Sequence, residues 1–143
     1  MNDLDYFIGL FAVAGMTGFI LGISMMFVTK HYLNHSSRRR RYIELIWGPD
    51  NEWHNGKRFD FVIANFIIPG STFTAWRMKI GLMTRHQKAM GAHAYPALHM
   101  NSNYIKLLEE FRFFVRWECS KGLILVLSLG LVVAGMGLDK GWW

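Results

Sequence analysis

The fold is decided by residues 6–29, YFIGLFAVAGMTGFILGISMMFVT, which are 24 consecutive residues without a charged side chain. A second uncharged stretch of 17 residues covers positions 122–138, GLILVLSLGLVVAGMGL. A helix needs about 20 apolar residues to cross the hydrocarbon core of a bilayer. The two stretches therefore predict two transmembrane helices, separated by the 92 residues from 30 to 121. For the shorter stretch, a buried core helix of a soluble protein is the alternative.

Composition and the start of the sequence narrow the class of protein further. The chain is 52% hydrophobic and 18% charged, and its single cysteine, Cys119, cannot form a disulfide within the chain. These values exclude a disordered chain and a disulfide-rich secreted domain. Asp3 and Asp5 precede the first stretch, whereas a cleaved signal peptide begins with basic residues and has a shorter apolar core. We therefore interpret residues 6–29 as a retained membrane span.

Charge placement predicts the orientation of the spans. Fifteen of the 16 Lys and Arg residues lie within positions 30–121, where they exceed seven acidic residues and leave a net charge of +8. Basic residues near the ends of spans favour the cytoplasmic side of the membrane. We therefore expect residues 30–121 to form a cytoplasmic domain at the bacterial inner membrane. The tails 1–5 and 139–143 would then lie in the periplasm.

Basic and histidine residues follow the first span directly. The run Arg38, Arg39, Arg40 and Arg41 is expected to contact anionic lipid head groups, which membrane lipids supply at this position. Nucleic acid is the other partner that such a charge could attract, and we do not expect it. His31 and His35 could share one helix face as metal or haem ligands. No third ligand follows at a recognisable spacing, so we expect no metal and no cofactor.

Small residues recur every three or four positions in both spans. The two sets are Gly15, Gly18 and Gly22 in the first span, and Gly130, Ala134 and Gly137 in the second. Each set falls on one helix face, and small residues let helix backbones approach closely within lipid. The stripes therefore predict that the spans pack as a hairpin or that copies of the chain form a homo-oligomer.

Turn signals divide the first half of the segment between the spans. Gly48–Asp50 and Asn55–Gly56 flank short apolar runs, which predicts either a short β-hairpin or two helical pieces. Pro69–Gly70 is expected to end the preceding apolar element, and Ser71 or Thr72 to cap a new helix. That helix carries an apolar stripe with basic residues on its other faces. The stripe consists of Phe73, Trp76, Ile80 and Met83. It fits the inner membrane surface or the interior of a cytoplasmic domain equally well.

The second half of this segment predicts a loop followed by a long helix. Residues 91–103 contain Gly, Pro and His and are interpreted as a loop. From Asn103 the apolar residues follow helical spacing, and nothing breaks the pattern before Gly122. We expect an amphipathic stalk helix over residues 103–121 that continues to Leu138. The predicted fold is a mainly α membrane protein, in which two transmembrane helices flank a mostly helical, basic cytoplasmic domain.

The segment between the spans is the candidate functional part. It is far longer than a hairpin connection needs, and its many aromatic residues favour a folded domain over a disordered linker. The sequence contains no recognisable nucleophile, metal-binding or phosphate-binding motif, so we do not expect an enzyme. Aromatic and arginine side chains carry much of the binding energy at protein interfaces. The candidate partner-binding residues are Trp47, Trp53, Trp76, Arg77, Arg85, His93, Tyr95 and His99.

With its length, two spans and a basic segment between them, the chain resembles the entry-exclusion proteins of integrative conjugative elements in Gram-negative bacteria. The resemblance covers the whole chain as an architecture. It implies an inner-membrane protein of the recipient cell that blocks redundant DNA transfer by recognising a mating-pair protein of the donor. It assigns no role to individual residues. The chain is also similar to universal stress protein B, which has two spans and a shorter basic loop.

Two other interpretations remain open. An accessory subunit of a respiratory or secretion complex would use the small-residue stripes to join its neighbours. A haem- or metal-binding membrane protein would use His31 and His35 as ligands.

Overall fold

A computed structural model describes residues 3–142; Met1, Asn2 and Trp143, which belong to the predicted tails, lie outside the described residues. The described chain is mostly helical, as the sequence predicts. Its α-helices are α1 (Asp3–His35), α2 (Arg39–Trp47), α3 (Ile68–Lys79), α4 (Arg85–Ala94), α5 (Asn103–Glu110) and α6 (Arg112–Lys140). Two 3₁₀ turns cover Glu52–Asn55 and Pro96–His99, and a π-helix covers Ile63–Ile67.

The helices α1 and α6 are each long and apolar enough to cross a membrane. Only 22% of the most apolar stretch of α1 and 17% of that of α6 is buried within the protein. Core helices of soluble proteins are mostly buried, because their apolar residues have no other way to leave water. The alternative of a soluble core helix for residues 122–138 is therefore not supported.

The chain divides into two compact units. The first comprises the described parts of residues 1–27 and 118–143, and the second is Val28–Trp117. In the first unit α1 and α6 approach closely. A Cβ at Gly15 would lie 2.7 Å from Cγ2 of Val132, which is inside van der Waals contact. A Cβ at Gly18 would collide with the hydroxyl of Ser128.

The small-residue stripe of α6 does not lie wholly at the contact between α1 and α6. A Cβ at Gly130 would meet nothing within 4 Å in the described chain, so this residue does not pack against α1 as expected. The close approach lies at Gly135 instead, where a Cβ would be 3.5 Å from Cβ of Phe11. Near the start of the same unit, Glu118 and Lys121 form an ion pair at 2.6 Å, with side chains that are each 5% exposed.

The second unit has its own apolar core. Ile46 of α2, Ile68 of α3 and Leu107 of α5 are fully buried, and Leu98 of the second 3₁₀ turn joins them. The hydroxyls of Tyr42 and Ser71 are 3.3 Å apart inside this core and link α2 to α3. Helices of eight to twelve residues are marginal alone, so their stability comes from this shared burial.

Of the two alternatives predicted for residues 42–68, the β-hairpin is wrong. Between residues 3 and 142 the chain forms no strand. Asn51 caps the first 3₁₀ turn by accepting a hydrogen bond from the N–H of Trp53 at 2.9 Å. At Phe59 the backbone pairs with the side chain of Asn34. A strand partner is therefore not required to satisfy these backbone groups.

The expected helix break at Pro69–Gly70 is also wrong. The π-helix passes directly into α3, with Pro69 in the first turn of α3, so the helix continues through the proline. Ser71 and Thr72 do not cap the helix. Their hydroxyls donate to the carbonyls of Ile68 and Pro69, at 2.5 and 2.7 Å.

The predicted stalk helix is interrupted at Phe111. Helix α5 ends at Glu110 and α6 begins at Arg112, with Phe111 at φ −112° and ψ 28°. The ring of Phe111 is buried and packs edge-on against Tyr42 at 4.8 Å. Burying this ring favours a local departure from helical geometry over a straight stalk.

The expected loop over residues 91–103 is mostly helical. Helix α4 extends to Ala94, and Pro96–His99 form the second 3₁₀ turn. A capping box between Thr84 and Gln87 starts α4 and explains why a weakly apolar sequence becomes helical here.

Candidate functional site

Arg39 is part of the structure of the second unit. Its guanidinium lies 4.5 Å over the ring of Phe59 and donates to the carbonyls of Trp53, at 3.4 Å, and Lys57. Burial lowers the pKa of Arg39 from its usual value. A planar guanidinium suits this position because it can stack on a ring and donate in its own plane at once.

Arg41 joins α2 to α5. Its Nε and Nη2 atoms donate to the two carboxylate oxygens of Glu110 at 3.0 and 2.9 Å. These hydrogen bonds raise the pKa of Arg41 and lower the pKa of Glu110. The side chains are 46% and 33% exposed, so solvent screening limits the contribution of the pair to about 1 kcal/mol or less.

The other two arginines of the run also have protein partners. The guanidinium of Arg38 lies 4.6 Å over the ring of Phe111, and Nε of Arg40 donates to Glu44 at 3.2 Å. Arg40 remains 80% exposed. The expectation that all four guanidiniums face lipid head groups is therefore wrong for Arg39, which is committed to backbone carbonyls. Arg40 keeps most of its side-chain surface accessible to solvent.

A polar cleft of about 250 Å³ opens beside this run. The end of α1, the start of α2 and the first 3₁₀ turn form its walls. Its lining includes Arg39, Arg40, His35, Trp53 and His54. The cleft therefore combines cationic groups, hydrogen-bond donors and one indole face.

A layer of stacked aromatic rings supports the cleft. Trp47 and Trp53 stack at 5.9 Å, and Trp53 lies 5.0 Å from Phe59. The indole N–H of Trp47 donates to the carbonyl of Ala94 at 3.0 Å, which ties the layer to the end of α4. The ammonium of Lys57 lies 4.6 Å from the centre of the Trp53 ring. The structure thus brings the predicted residues Trp47 and Trp53 together, with Trp53 at the cleft wall.

Two predicted partner-binding residues are buried or half-buried. Tyr95 is 8% exposed, and its hydroxyl donates to the carbonyl of Ile67 at 2.5 Å. Burial raises the pKa of Tyr95. His99 is half-buried, and its Nε2 atom has no hydrogen-bond partner among the described residues. The expectation that Tyr95 is available to a partner is therefore wrong, because its ring and hydroxyl are used in the fold.

The remaining candidates lie on α3 and α4. Trp76 is exposed and stacks against Phe73 at 6.1 Å. Arg77 donates to the carbonyl of Leu82 at 2.9 Å and to Oε1 of Gln87 at 2.5 Å, so it holds the turn between the two helices. Arg85 and His93 are exposed on α4.

The histidine pair at the end of α1 stacks without further ligand groups. The rings of His31 and His35 are 4.3 Å apart, and Nδ1 of His35 lies 2.9 Å from the carbonyl of His31. Over residues 3–142 no three His, Cys, Asp or Glu side chains come together as a set that could hold a metal ion. The geometry offers no support for the haem or metal interpretation.

Two cleft features were missed in the sequence. His54 lies in a turn without periodicity, and Asn34 reaches Phe59 over a separation of 25 residues. Contacts at that separation have no local signal. The high density of Arg and Trp between residues 38 and 53 was the only available indication of a site here.

Comparison of the chain with protein-family models, with curated proteins and with solved structures finds no match.

Proposed function

We propose that the chain is a protein-recognition module anchored in the bacterial inner membrane. In this proposal α1 and α6 cross the membrane, and the second unit binds another membrane protein from the cytoplasmic side. The biological role that we propose is conjugative entry exclusion, in which recognition of a donor mating-pair protein blocks redundant DNA transfer. The observation that carries the proposal is the cationic, aromatic-walled cleft in a separately folded unit.

The charge distribution supports this orientation. Residues 30–121 carry the excess of basic side chains, and the acidic Asp3 and Asp5 begin α1. Several of these basic residues lie close to the span ends, namely Lys30 and the run 38–41 on one side and Arg112, Arg116 and Lys121 on the other, where basic residues favour the cytoplasmic side. The exposed apolar surfaces of α1 and α6 are what lipid would cover.

The cleft favours an acidic partner segment. Arg40 is largely exposed at its rim, and Arg39 adds positive charge to its lining. Complementary charge steers encounter and rejects partners with the wrong charge, because an unpaired buried charge costs several kcal/mol. Trp53 at the cleft wall adds an aromatic side chain of the kind that anchors many protein interfaces. The proposed ligand is therefore a segment with carboxylates beside an apolar side chain.

The experiment measures conjugation frequency into recipient cells that express the full chain. Wild type is expected to lower transfer, and Arg40→Glu is expected to restore it toward the level of recipients without the protein. Lys106→Glu is the matched control, because it reverses an exposed charge on α5 outside the cleft. Immunoblotting of membrane fractions checks that the three proteins are equally abundant.

Two results would contradict the proposal in different ways. If wild type never lowers transfer, the exclusion role fails. If exclusion occurs but Arg40→Glu and Lys106→Glu behave alike, recognition does not use the cleft.

A structural subunit of a larger membrane complex is the second candidate. The open face of α6 at Gly130 favours it, since a helix of another chain could approach there closely. The same face would serve a homo-oligomer. Cross-linking in membranes distinguishes the two, because a homo-oligomer gives products at multiples of 16.6 kDa.

A further inference from the structure

The helical segment from Val62 to Ile80 directs its large apolar residues outward. On α3 the buried residues are Ile68 and the small residues Ser71, Thr72 and Ala75. The aromatic residues of the segment point the other way. Ile67 is 45% exposed. The other exposed apolar residues are Val62 (57% exposed), Phe66 (59%), Phe73 (58%), Trp76 (48%) and Ile80 (44%). We call these five residues the outer apolar face.

The outer apolar face follows α3 and extends back across the π-helix. Phe73, Trp76 and Ile80 are spaced by three and four residues, which keeps them on one side of a helix with 3.6 residues per turn. Phe66 lies in the π-helix and Val62 directly precedes it. Phe73 and Trp76 stack on each other at 6.1 Å and form its centre. A contiguous apolar patch of this kind on a folded unit marks a surface that contacts lipid or protein.

The charge around this face favours an anionic lipid surface. Residues 61–108 contain five Lys or Arg residues and no Asp or Glu. Lys79, at the end of α3, is exposed, as are Arg85 and Lys88 at the start of α4. Aromatic side chains beside lysine and arginine are typical of helices that lie in the plane of a membrane interface. The nearest acidic residue in sequence is Asp60, whose Oδ1 accepts a hydrogen bond from the N–H of Ile63 at 2.8 Å, so the stretch from 61 to 108 is itself basic and favours anionic head groups.

The position of the segment within the second unit agrees with this partner. Phe59, just before the segment, pairs with Asn34, which follows the uncharged stretch of α1 by five residues. Tyr42 contacts Ser71 of α3 and lies 5.4 Å from Phe114, in the first turn of α6. Within the second unit, the residue before the segment is thus joined to the end of α1, and Ser71 is linked through Tyr42 to the first turn of α6.

We propose that the outer apolar face lies on the cytoplasmic membrane surface and binds anionic lipid, with Phe73 and Trp76 at the level of the acyl chains. Lys79, Arg85 and Lys88 contact the head groups. The proposal rests on the membrane anchoring proposed above and is independent of conjugative exclusion.

The test uses the full chain in vesicles that contain phosphatidylglycerol and a lipid with a quencher on its acyl chain. In a Cys119→Ser background, Phe73→Cys carries a polarity-sensitive fluorophore. Met100→Cys is the matched control, because Met100 is 60% exposed in the same unit but outside the outer apolar face. Phe73 is exposed, so its replacement leaves the core intact, and Trp76→Cys provides a second position on the same face.

The lipid is expected to quench the fluorophore at position 73 or 76 at least about twofold more strongly than the fluorophore at position 100, as for an interfacial helix. Lys79→Gln combined with Lys88→Gln is expected to reduce that difference, as is a vesicle of phosphatidylcholine alone. If the emission at position 73 reports an environment as polar as that at position 100, the proposal is overturned. Emission that reports an apolar environment without quenching by lipid also overturns it, because protein would then cover the face. Conjugation assays do not enter this test, so its failure leaves the exclusion role untouched.

Discussion

Asn34 and Phe59 are joined by two hydrogen bonds in which an amide side chain pairs with the backbone as a neighbouring strand would. Nδ2 of Asn34 donates to the carbonyl of Phe59 at 3.0 Å, and the N–H of Phe59 donates to Oδ1 of Asn34 at 2.7 Å. This pair holds the extended connection to the end of α1. It also places the ring of Phe59 under the guanidinium of Arg39 and thereby supports the cleft.

Replacing Asn34 should destabilise the second unit. Asn34→Ala leaves the N–H and carbonyl of Phe59 without these partners, which costs about 1–3 kcal/mol when the groups are shielded from water. Thermal unfolding of the full chain in detergent measures the effect. Ser37→Ala, an exposed substitution two residues after α1, is the control and should change little. Equal melting temperatures for the two variants would show that the pair does not stabilise the fold.

The pair of Arg41 and Glu110 should make stability depend on pH in acid. The pKa of Glu110 is lowered in the folded state, so its contribution is present above the unfolded value of about 4.3. That contribution is lost as the pH falls through the lower folded pKa. Glu110→Gln should therefore be less stable than wild type at neutral pH, by about 1 kcal/mol or less. The difference should vanish in strong acid. Chemical unfolding at several pH values checks this, and a difference that grows with acid would contradict it.

The buried ion pair between Glu118 and Lys121 should respond unequally to single and double substitution. Lys121→Met removes one member of an ion pair whose side chains are each 5% exposed, and breaking a buried pair from one side costs about 3–5 kcal/mol. Glu118→Gln combined with Lys121→Met leaves no charge and should be considerably milder. Thermal unfolding in detergent compares the variants. A double variant that is less stable than the single one would show that the two side chains do not act as a pair.

Leucine substitutions of a glycine in α1 and of a glycine in α6 should differ in their effect on stability. Gly18→Leu forces a side chain into Ser128 of α6 and should destabilise the first unit by about 1–3 kcal/mol or more. Gly130→Leu enters open space within the described chain and should leave unfolding of the single chain unchanged. Unfolding in detergent at low protein concentration makes the comparison. If both variants lose equal stability, α6 packs on α1 through Gly130 after all.

The proposed orientation has a direct topological test. Alkaline phosphatase fused after Trp143 should be active, because the enzyme folds only in the periplasm, and a fusion after Gly91 should be inactive. The reasoning is the excess of basic side chains between the spans. A cytoplasmic reporter at the same two positions provides the complementary control. The reverse pattern would contradict the orientation and, with it, a cytoplasmic cleft.

Much of the local structure could be predicted because its signals are local. The uncharged stretches identified α1 and α6, and the helical spacing of Phe73, Trp76 and Ile80 identified most of α3. Which side of α3 is buried could not be predicted, because Ile68 and Ala75 form a second apolar side that also fits a core. The choice depends on which surface meets α5 and the π-helix, and those contacts are not encoded in the spacing of one helix.

The errors share a physical cause. A β-hairpin was one of two alternatives where Asn34 supplies the backbone partners, and a straight stalk was expected where Phe111 packs on Tyr42. In the arginine run, Arg39 binds the carbonyls of Trp53 and Lys57, 14 and 18 positions along the chain. In each case a distant residue outweighed the local preference.

Membrane partition is nearly additive over a short window of residues, so amino-acid composition alone was enough to establish two apolar, span-length helices and the basic segment between them. The cleft and the outer apolar face required the folded unit. Both arise when side chains from separated helices compete for the same buried space, and the winning arrangement depends on packing that no short window contains. Trp53 lines a cleft and Trp76 faces outward for this reason, although their sequence environments are equally aromatic and basic.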